Sequence, residues 1–340
     1  MPFVNTEVYH CLIYRICFPS LARNARFAEK GRTSLLFPEV FTSQLTPMIY
    51  VSQLVIYPIK SLRGIAVNRA VLDRTGFQYD RRFMLVTADG HCLTQHRCPQ
   101  MALLQVAMQN GELQVWHRDQ PDDRLVLPLV VSSPECSVMQ VSVWDSHAIE
   151  AVRVSDQADF WFSRILHEVC QLVYMPDHTH RAVDQTYARH QESVSFADGY
   201  PYLLIGQASL DALNQRLVEP VSMQRFRPNI VVSGAEPYAE ESWEHFRIGG
   251  FTFYRGESCG RCILTTLDPD TGQKGPEPLR TLSTYRQQDH KIVFGQYVLA
   301  VHNPARAVAG SSTVNDPNEI RIGQLVEEIR HEQPAALAIL

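Results

Sequence analysis

The sequence has no excess of basic charge: 31 Lys and Arg stand against 36 Asp and Glu, a formal net charge of -5. That excludes a general nucleic-acid binder, although a local basic cluster can still grip a small anion. It has no apolar run of membrane-spanning length. The most apolar stretch, Val8 to Phe18, is interrupted by His10 and Arg15 and falls short of the roughly 20 residues a spanning helix needs. It has no Gly-x-Gly-x-x-Gly fingerprint, no Cys-x-x-Cys-His run, no second Cys-x-x-Cys and no cysteine after Cys262, so a nicotinamide or flavin Rossmann site, a c-type haem and a C-terminal [2Fe–2S] cluster are all excluded. Its 13 histidines are scattered, and His178 and His180, two apart, read as solvated loop residues. It has no internal repeat and no low-complexity tract.

What is present is an ordinary globular composition, 45% hydrophobic and 20% charged over 340 residues, enough for two domains that each bury a core. The eight cysteines, Cys11, Cys17, Cys92, Cys98, Cys136, Cys170, Cys259 and Cys262, suit free thiols in a reducing compartment better than a disulfide framework, and a cytoplasmic, monomeric protein is expected. Residues 1–47 differ from the rest, with Arg15, Arg23, Arg26, Lys30 and Arg32 against Glu7, Glu29 and Glu39. A targeting peptide has that bias; an upstream extension, with Met48 as the working start, is the reading adopted.

From Tyr50 the pattern is rich in strands. Short β runs are expected at Val51 to Ile56, Ala66 to Leu72, Arg82 to Thr87, Leu125 to Val131 and Gln140 to Val143. Asn110-Gly111 between Met101–Met108 and Leu113–Trp116 is a hairpin signature. A helix is expected after Ser155, an N-cap type followed by Asp156 and Asp159, with Trp161, Ile165, Leu166 and Val169 on one face. The segment Pro176 to Ser195, rich in His, Arg and Gln, reads as the connection between domains. Beyond it, strands are expected at Tyr202 to Ile205, Phe226 to Val232, Phe246 to Tyr254, Ile263 to Leu267, Gln296 to Val301 and Ile320 to Val326, with one helix carrying Leu210, Leu213 and Leu217. Many short strands and few helices predict an α+β, β-rich chain with a closed or nearly closed barrel.

The most informative stretch is Cys259-Gly260-Arg261-Cys262-Ile263-Leu264-Thr265-Thr266-Leu267-Asp268-Pro269-Asp270-Thr271-Gly272. Two thiols flank a permanent cation, which favours the thiolate and hence metal ligation. Spacing alone leaves several readings open: half of a zinc site, a redox dithiol, an inert pair or a metal ligand. Zinc normally needs four ligands, and a thioredoxin-type site needs a helix after the motif, where a strand is expected here. Asp268 and Asp270 are candidate proton donors, although Asp-Pro-Asp-Thr-Gly is equally a turn held by side-chain oxygens.

The context of that stretch resembles the MOSC-domain molybdenum enzymes, close to the mitochondrial amidoxime-reducing component and its bacterial homologues. The likeness covers about residues 48–326 and is carried, in order, by Ile56-Tyr57-Pro58-Ile59-Lys60-Ser61, Tyr79-Asp80-Arg81-Arg82-Phe83-Met84, Phe226-Arg227-Pro228-Asn229-Ile230, the cysteine stretch and Phe294-Gly295-Gln296-Tyr297, with Tyr238 to Trp243 adding to it. The resemblance implies an N-terminal MOSC domain over 48–175, a barrel-like MOSC domain over 185–328 and a tail over 329–340. It implies a molybdenum–molybdopterin cofactor with Cys262 as the protein ligand to molybdenum and the catalytic thiolate. Lys60, Ser61, Arg81, Asp198, Arg227, Asn229, Gly260, Arg261 and Tyr297 are implied as cofactor-binding. The expected reaction is two-electron reduction of N-hydroxylated compounds to amines, with electrons from a separate ferredoxin-, flavodoxin- or cytochrome-like protein and its reductase. The alternative is a sulfur or cofactor carrier, as in the MOSC part of molybdenum-cofactor sulfurases. Two departures from the family pattern are His96, where relatives usually show Arg, and Gly199-Tyr200, where human-type relatives have small hydroxyl residues.

Overall fold

The computed structural model describes residues 48–131, 137–301 and 318–329. The expectations for residues 1–47 and 330–340, and Cys11, Cys17 and Cys136, lie outside the described residues.

The site is carried by one large sheet. In spatial order its strands are Val326–Glu328, His245–Ile248, Phe251–Gly260, Lys291–Ala300, Tyr202–Gly206, Ile230–Ser233, Tyr50–Ile56 and Ile65–Val67, with Gln287–Gln288 pairing Lys291–Ala300 off this path. All neighbours are antiparallel except Tyr202–Gly206 and Ile230–Ser233, which are joined through the helix Gln207–Asn214. The segment around Val326–Glu328 closes back onto the start of Tyr50–Ile56: Val326 N donates to Ile49 O at 2.8 Å, and Gly323 N donates to Val51 O at 2.8 Å. Closure leaves no long unpaired edge. The interior is filled by Leu54, Ile230, Tyr202, Phe246, Phe253 and Val298. Tyr50–Ile56, from the N-terminal part of the chain, is thus one stave of a barrel made mostly by the C-terminal part.

Of the remaining N-terminal strands, Arg69–Asp73 and Gly76–Phe77 form a small sheet with Glu319–Arg321, and the others form a sheet ordered Phe83–Val86, Gln171–Tyr174, Ser146–Arg153, Val138–Val143, beside a meander of Leu104–Gln109, Glu112–His117 and Gln120–Pro128. The helix Asp156–Leu166 packs Trp161, Phe162 and Leu166 against the meander's Leu104, Leu113 and Leu125. Ser155 caps that helix, its side chain accepting from Ala158 N at 3.1 Å. At the meander's first turn, Asn110 and Gly111 both have positive φ, 53° and 80°, the geometry a two-residue hairpin with right-handed twist requires.

The structure departs from the sequence reading in several places. His167, at φ 53°, ends the N-terminal helix at Leu166, so Val169 lies beyond it and is exposed rather than packed. The strand Ser146–Arg153 was not expected, and Leu217 falls after the helix Gln207–Asn214. The expected strand over Ile263 to Leu267 is instead a 3₁₀ turn, Ile263–Thr266. The threonines explain it: Thr265 Oγ1 donates to Cys262 O at 3.0 Å and Thr266 Oγ1 to Ile263 O at 2.7 Å, local side-chain bonds that compete with a sheet ladder. A turn of helix, not a strand, therefore follows the cysteines, and the objection to a redox dithiol based on a following strand does not stand.

Candidate functional site

Backbone geometry sets the site before its side chains do. The barrel strand Tyr50–Ile56 runs into Tyr57-Pro58-Ile59-Lys60-Ser61, and Asp80 clamps that exit. Its Oδ1 accepts from Tyr57 N at 2.8 Å and Asn229 Nδ2 at 3.2 Å, and its Oδ2 pairs with Arg81 Nη1 at 2.6 Å. Arg81 and Arg227 both take left-handed backbone, φ 48° and 56°, which for such side chains persists only where the surroundings impose it. The two guanidiniums each lie 4.3 Å from the Tyr57 ring centroid. Burial works against the charge on Arg81, but Asp80 more than compensates and raises its pKa. Among the described residues Arg227 has no carboxylate partner: it donates to Leu62 O at 2.7 Å, and burial, with Arg81 adding repulsion, pulls it down to about 10. Asn229 is fully occupied, accepting from Arg81 at 2.9 Å and Leu203 N at 3.3 Å while donating to Val55 O and Asp80. It serves to hold Arg81.

The cysteines arrive on the end of the long strand Phe251–Gly260. Cys259 is buried among Phe226, Leu282 and Phe294, and burial raises its thiol pKa. Cys262, past the strand end, is exposed. Between them Arg261 turns inward, Nε donating to Phe294 O at 2.8 Å and Nη1 to Phe226 O at 3.0 Å. Its Nη2 is buried without a partner, an unsatisfied donor of the kind that folded proteins seldom leave without purpose. Tyr297 stacks on Tyr200 with ring centroids 4.7 Å apart, and burial holds its hydroxyl protonated, well above the ordinary value.

Asp198 lies in the segment that leads into the strand Tyr202–Gly206. Its Oδ1 accepts from Lys60 Nζ at 2.6 Å and from Trp144 Nε1 at 3.0 Å. Although its side chain is exposed to the cleft, desolvation by the surrounding protein opposes its charge, but Lys60, those hydrogen bonds and Arg81 hold its pKa well below the usual carboxylate range. Lys60 also donates to Phe196 O at 2.8 Å, and its own burial lowers its pKa despite Asp198. Arg181 staples the segment, donating to Ser195 O, Ala197 O and Asp198 O.

These elements converge on one cleft lined by Arg81, Asp198, Arg227, Asn229, Gly260, Arg261, Cys262 and Tyr297 together with Arg225, Phe226 and Thr265. A wider mouth that shares Gly260, Arg261 and Cys262 with this cleft is lined also by Asp198, Tyr200, Glu257, His290, Lys291 and Tyr297. Two expected residues stand outside the linings. Lys60 sits beneath Asp198. Ser61, at φ 68°, presents its carbonyl to Gln95 Nε2 at 2.6 Å. Asp268 and Asp270 are structural: Asp268 accepts from Asp270 N, Thr271 N and Arg225, and Asp270 pairs with Arg63. Sequence reasoning missed Tyr57, Arg225, Trp144 and Arg181. Tyr57 and Arg225 stand inside or beside motifs already singled out; Trp144 and Arg181 carry no local signal. Among the described residues no three His, Cys, Asp or Glu side chains group as a metal site by themselves, and no helix is long and apolar enough to cross a membrane.

With this geometry in place, comparison with known proteins defines the class. Residues 48–169 match the MOSC N-terminal beta barrel domain and residues 191–327 the MOSC domain. The chain belongs to the MOSC-domain family. It is 34% identical to mitochondrial amidoxime-reducing component 1 of Mus musculus over 284 residues, covering 78% of this chain and 81% of that protein. Identity to the Homo sapiens protein of the same name is 33%, with the same coverage. The molybdenum cofactor sulfurase of Oryza sativa subsp. japonica is 33% identical over 73% of this chain, which spans only 32% of that longer protein.

Proposed function

We propose that this chain is a molybdopterin-dependent reductase that converts N-hydroxylated compounds to amines. The observation that carries the reading is the pairing of an exposed thiol, Cys262, with the unsatisfied buried Nη2 of Arg261 in the same cleft. A thiolate is a suitable soft ligand for molybdenum, and an unmatched guanidinium calls for an anion. Arg227, which donates to Leu62 O but pairs with no carboxylate among the described residues, is a second cation of the cleft. The donor set therefore fits an anionic metal–dithiolene group with a phosphate: Cys262 would ligate the metal, Arg261 and Arg227 would bind the anionic parts, and Arg81, fixed by Asp80 and Asn229, would complete the cradle. When bound, the group would supply two-electron redox chemistry. Tyr297 and Tyr200 wall the mouth and limit water there.

Similarity to the amidoxime-reducing components over most of the chain supports the substrate class. The reading includes a separate electron-donor protein. Its test is metal analysis of purified protein together with reduction of benzamidoxime by reduced viologen. Stoichiometric molybdenum with turnover is expected; molybdenum-free protein that stays inactive after reconstitution overturns the reading. The similarity to a cofactor sulfurase and the exposure of Cys262 favour a second reading, a sulfur carrier. It is recognised by a persulfide on Cys262 in mass spectra of protein that lacks reductase activity.

A further inference from the structure

A second chamber borders Arg227. Its apolar walls are Val55, Tyr57, Ala66, Ala102, Met223 and Pro228. Of its lining residues only Arg227 also lines the cleft of Cys262, and none lines the mouth. Gly64 lines the chamber too. A Cβ there would lie 2.5 Å from Tyr57 Cε1 and 2.6 Å from Val55 Cγ1, so only glycine lets the backbone at this position come so close to those two walls.

Three polar side chains stand among the apolar walls, each with bonding capacity to spare. Arg227 spends Nη1 on Leu62 O at 2.7 Å, and the rest of its guanidinium has no hydrogen bond among the described residues. Arg63 spends Nη1 on Asp270 Oδ1 at 2.7 Å, a carboxylate whose side chain is 63% exposed; a pair of that kind is weak and readily exchanged. Gln95 is 8% exposed. Its Nε2 donates to Ser61 O at 2.6 Å, while its Oε1 accepts nothing among the described residues. Two guanidiniums and one amide oxygen are therefore on offer in a largely apolar pocket.

We propose that this chamber is a second ligand site, taking a small aromatic carboxylate that carries an N–H donor. The carboxylate sits on Arg227 and Arg63, the ring against the apolar walls, and the N–H on Gln95 Oε1. Guanidinium forks match carboxylates in geometry and charge, and apolar walls with a few convergent polar groups are the usual make-up of a small-molecule pocket. The amide oxygen adds selectivity, since a ligand without a donor leaves it unpaired. The site goes beyond the reductase reading and stands without it, because neither Cys262 nor any bound metal takes part and no bond is made or broken.

The test uses the full chain as purified and the fluorescent probe anthranilate, with benzoate, which lacks the amine, and methyl anthranilate, which lacks the charge, as comparisons in competition titrations. Wild type should bind anthranilate saturably, benzoate severalfold more weakly and methyl anthranilate about tenfold more weakly, the size set by one charge-assisted contact. Arg63→Ala should lose about tenfold in anthranilate affinity on the same ground. Gln95→Leu should erase the difference between anthranilate and benzoate. Ala66→Trp, at an exposed position on the chamber's wall, should fill the chamber and abolish binding, whereas Cys262→Trp fills the cleft instead and should leave binding unchanged. Absence of saturable binding to wild type, or methyl anthranilate bound as tightly as anthranilate, overturns the proposal. So does full affinity in Ala66→Trp, which keeps the test decisive if Gln95→Leu does not fold. Binding lost in Cys262→Trp but kept in Ala66→Trp would put the probe in the cleft and overturns it as well.

Discussion

The two thiols of the Cys-x-x-Cys pair stand in opposite environments: Cys259 is 1% exposed in an aromatic and aliphatic core, and Cys262 is open at the strand end. Burial raises the Cys259 pKa, so at neutral pH it remains a thiol, a poor nucleophile and a poor ligand. Cys262→Ala is therefore expected to remove bound molybdenum and N-hydroxy reduction, while Cys259→Ala keeps both; equal losses would mean that the pair acts as a unit. In the loaded protein, a thiol reagent followed by peptide mapping should leave Cys259 unmodified until the chain is unfolded. Arg227 belongs to the same scale. With Leu62 O as its fixed protein partner and no carboxylate partner among the described residues, Arg227 is a candidate anchor, and Arg227→Ala should yield folded protein that holds the cofactor roughly tenfold to a hundredfold less tightly, the equivalent of about 1.5–3 kcal/mol for one charge-assisted contact. Molybdenum occupancy after prolonged dialysis checks this, and full retention excludes Arg227 as an anchor. Arg81, Arg227, Arg261 and Cys262, singled out in the sequence by their distinctive local strings, do come to one cleft, whereas Lys60 and Ser61 fall outside its lining and Arg225 was missed. What the strings do not carry is who holds whom. Asp80, Asn229 and Tyr57 form the clasp on Arg81 across sequence separations of 148 or 149 residues between Asn229 and its partners, and only closure of the barrel brings them together.

At the scale of elements, the sequence reading succeeds where local chemistry decides and fails where tertiary pairing does. Ser155 is a cap in both, because its oxygen needs only the Ala158 N–H three residues on. Ser155→Ala is expected to cost the N-terminal helix about 1 kcal/mol, seen as a lower midpoint in urea, and an unchanged midpoint would show that the tertiary contacts of Trp161 and Phe162 carry the helix unaided. The hairpin at Asn110-Gly111 was legible for the same local reason. The run Ile263 to Leu267 was not. Its β-branched and aliphatic residues read as a strand, but the adjoining strand Phe251–Gly260 is already flanked on both sides, by His245–Ile248 and Lys291–Ala300. The two threonine hydroxyls then close the backbone into a turn. That turn matters to the site, since it carries Cys262 away from the sheet and leaves its thiol open to the cleft, where a continued strand would have left it in the ladder.

For the whole molecule, titration of buried thiols sets an alkaline limit. Burial pushes Cys170 up to about 11 from the ordinary 9.0, the Ser163 hydrogen bond offsetting only part of this. A pKa raised on folding contributes stability that is complete below the unfolded value and is lost as pH rises through the folded one. Between about pH 9 and 11 the melting temperature should therefore fall, and Cys170→Ala should flatten that fall while lowering the melting temperature at pH 7 through the small cavity it leaves. A slope unchanged in the variant would assign the alkaline loss to other groups.

Electron supply is also decided at this scale. Each N–O reduction consumes two electrons, and the chain carries no fingerprint for a flavin, nicotinamide, haem or iron–sulfur group. The clefts reach solvent through a mouth beside Cys262, so a donor protein can approach the proposed metal position directly, in the small and transient kind of contact typical of redox partners. Under the reductase reading, loaded protein should reduce benzamidoxime with reduced viologen and show no turnover with NADH or NADPH alone. Turnover with the nicotinamide should return when a reductase and its small ferredoxin-, flavodoxin- or cytochrome-like carrier are added together. Rates should rise with carrier concentration and saturate, since the carrier acts as a second substrate. Steady turnover with NADPH and this chain alone would place a nicotinamide site within it and remove the need for any partner.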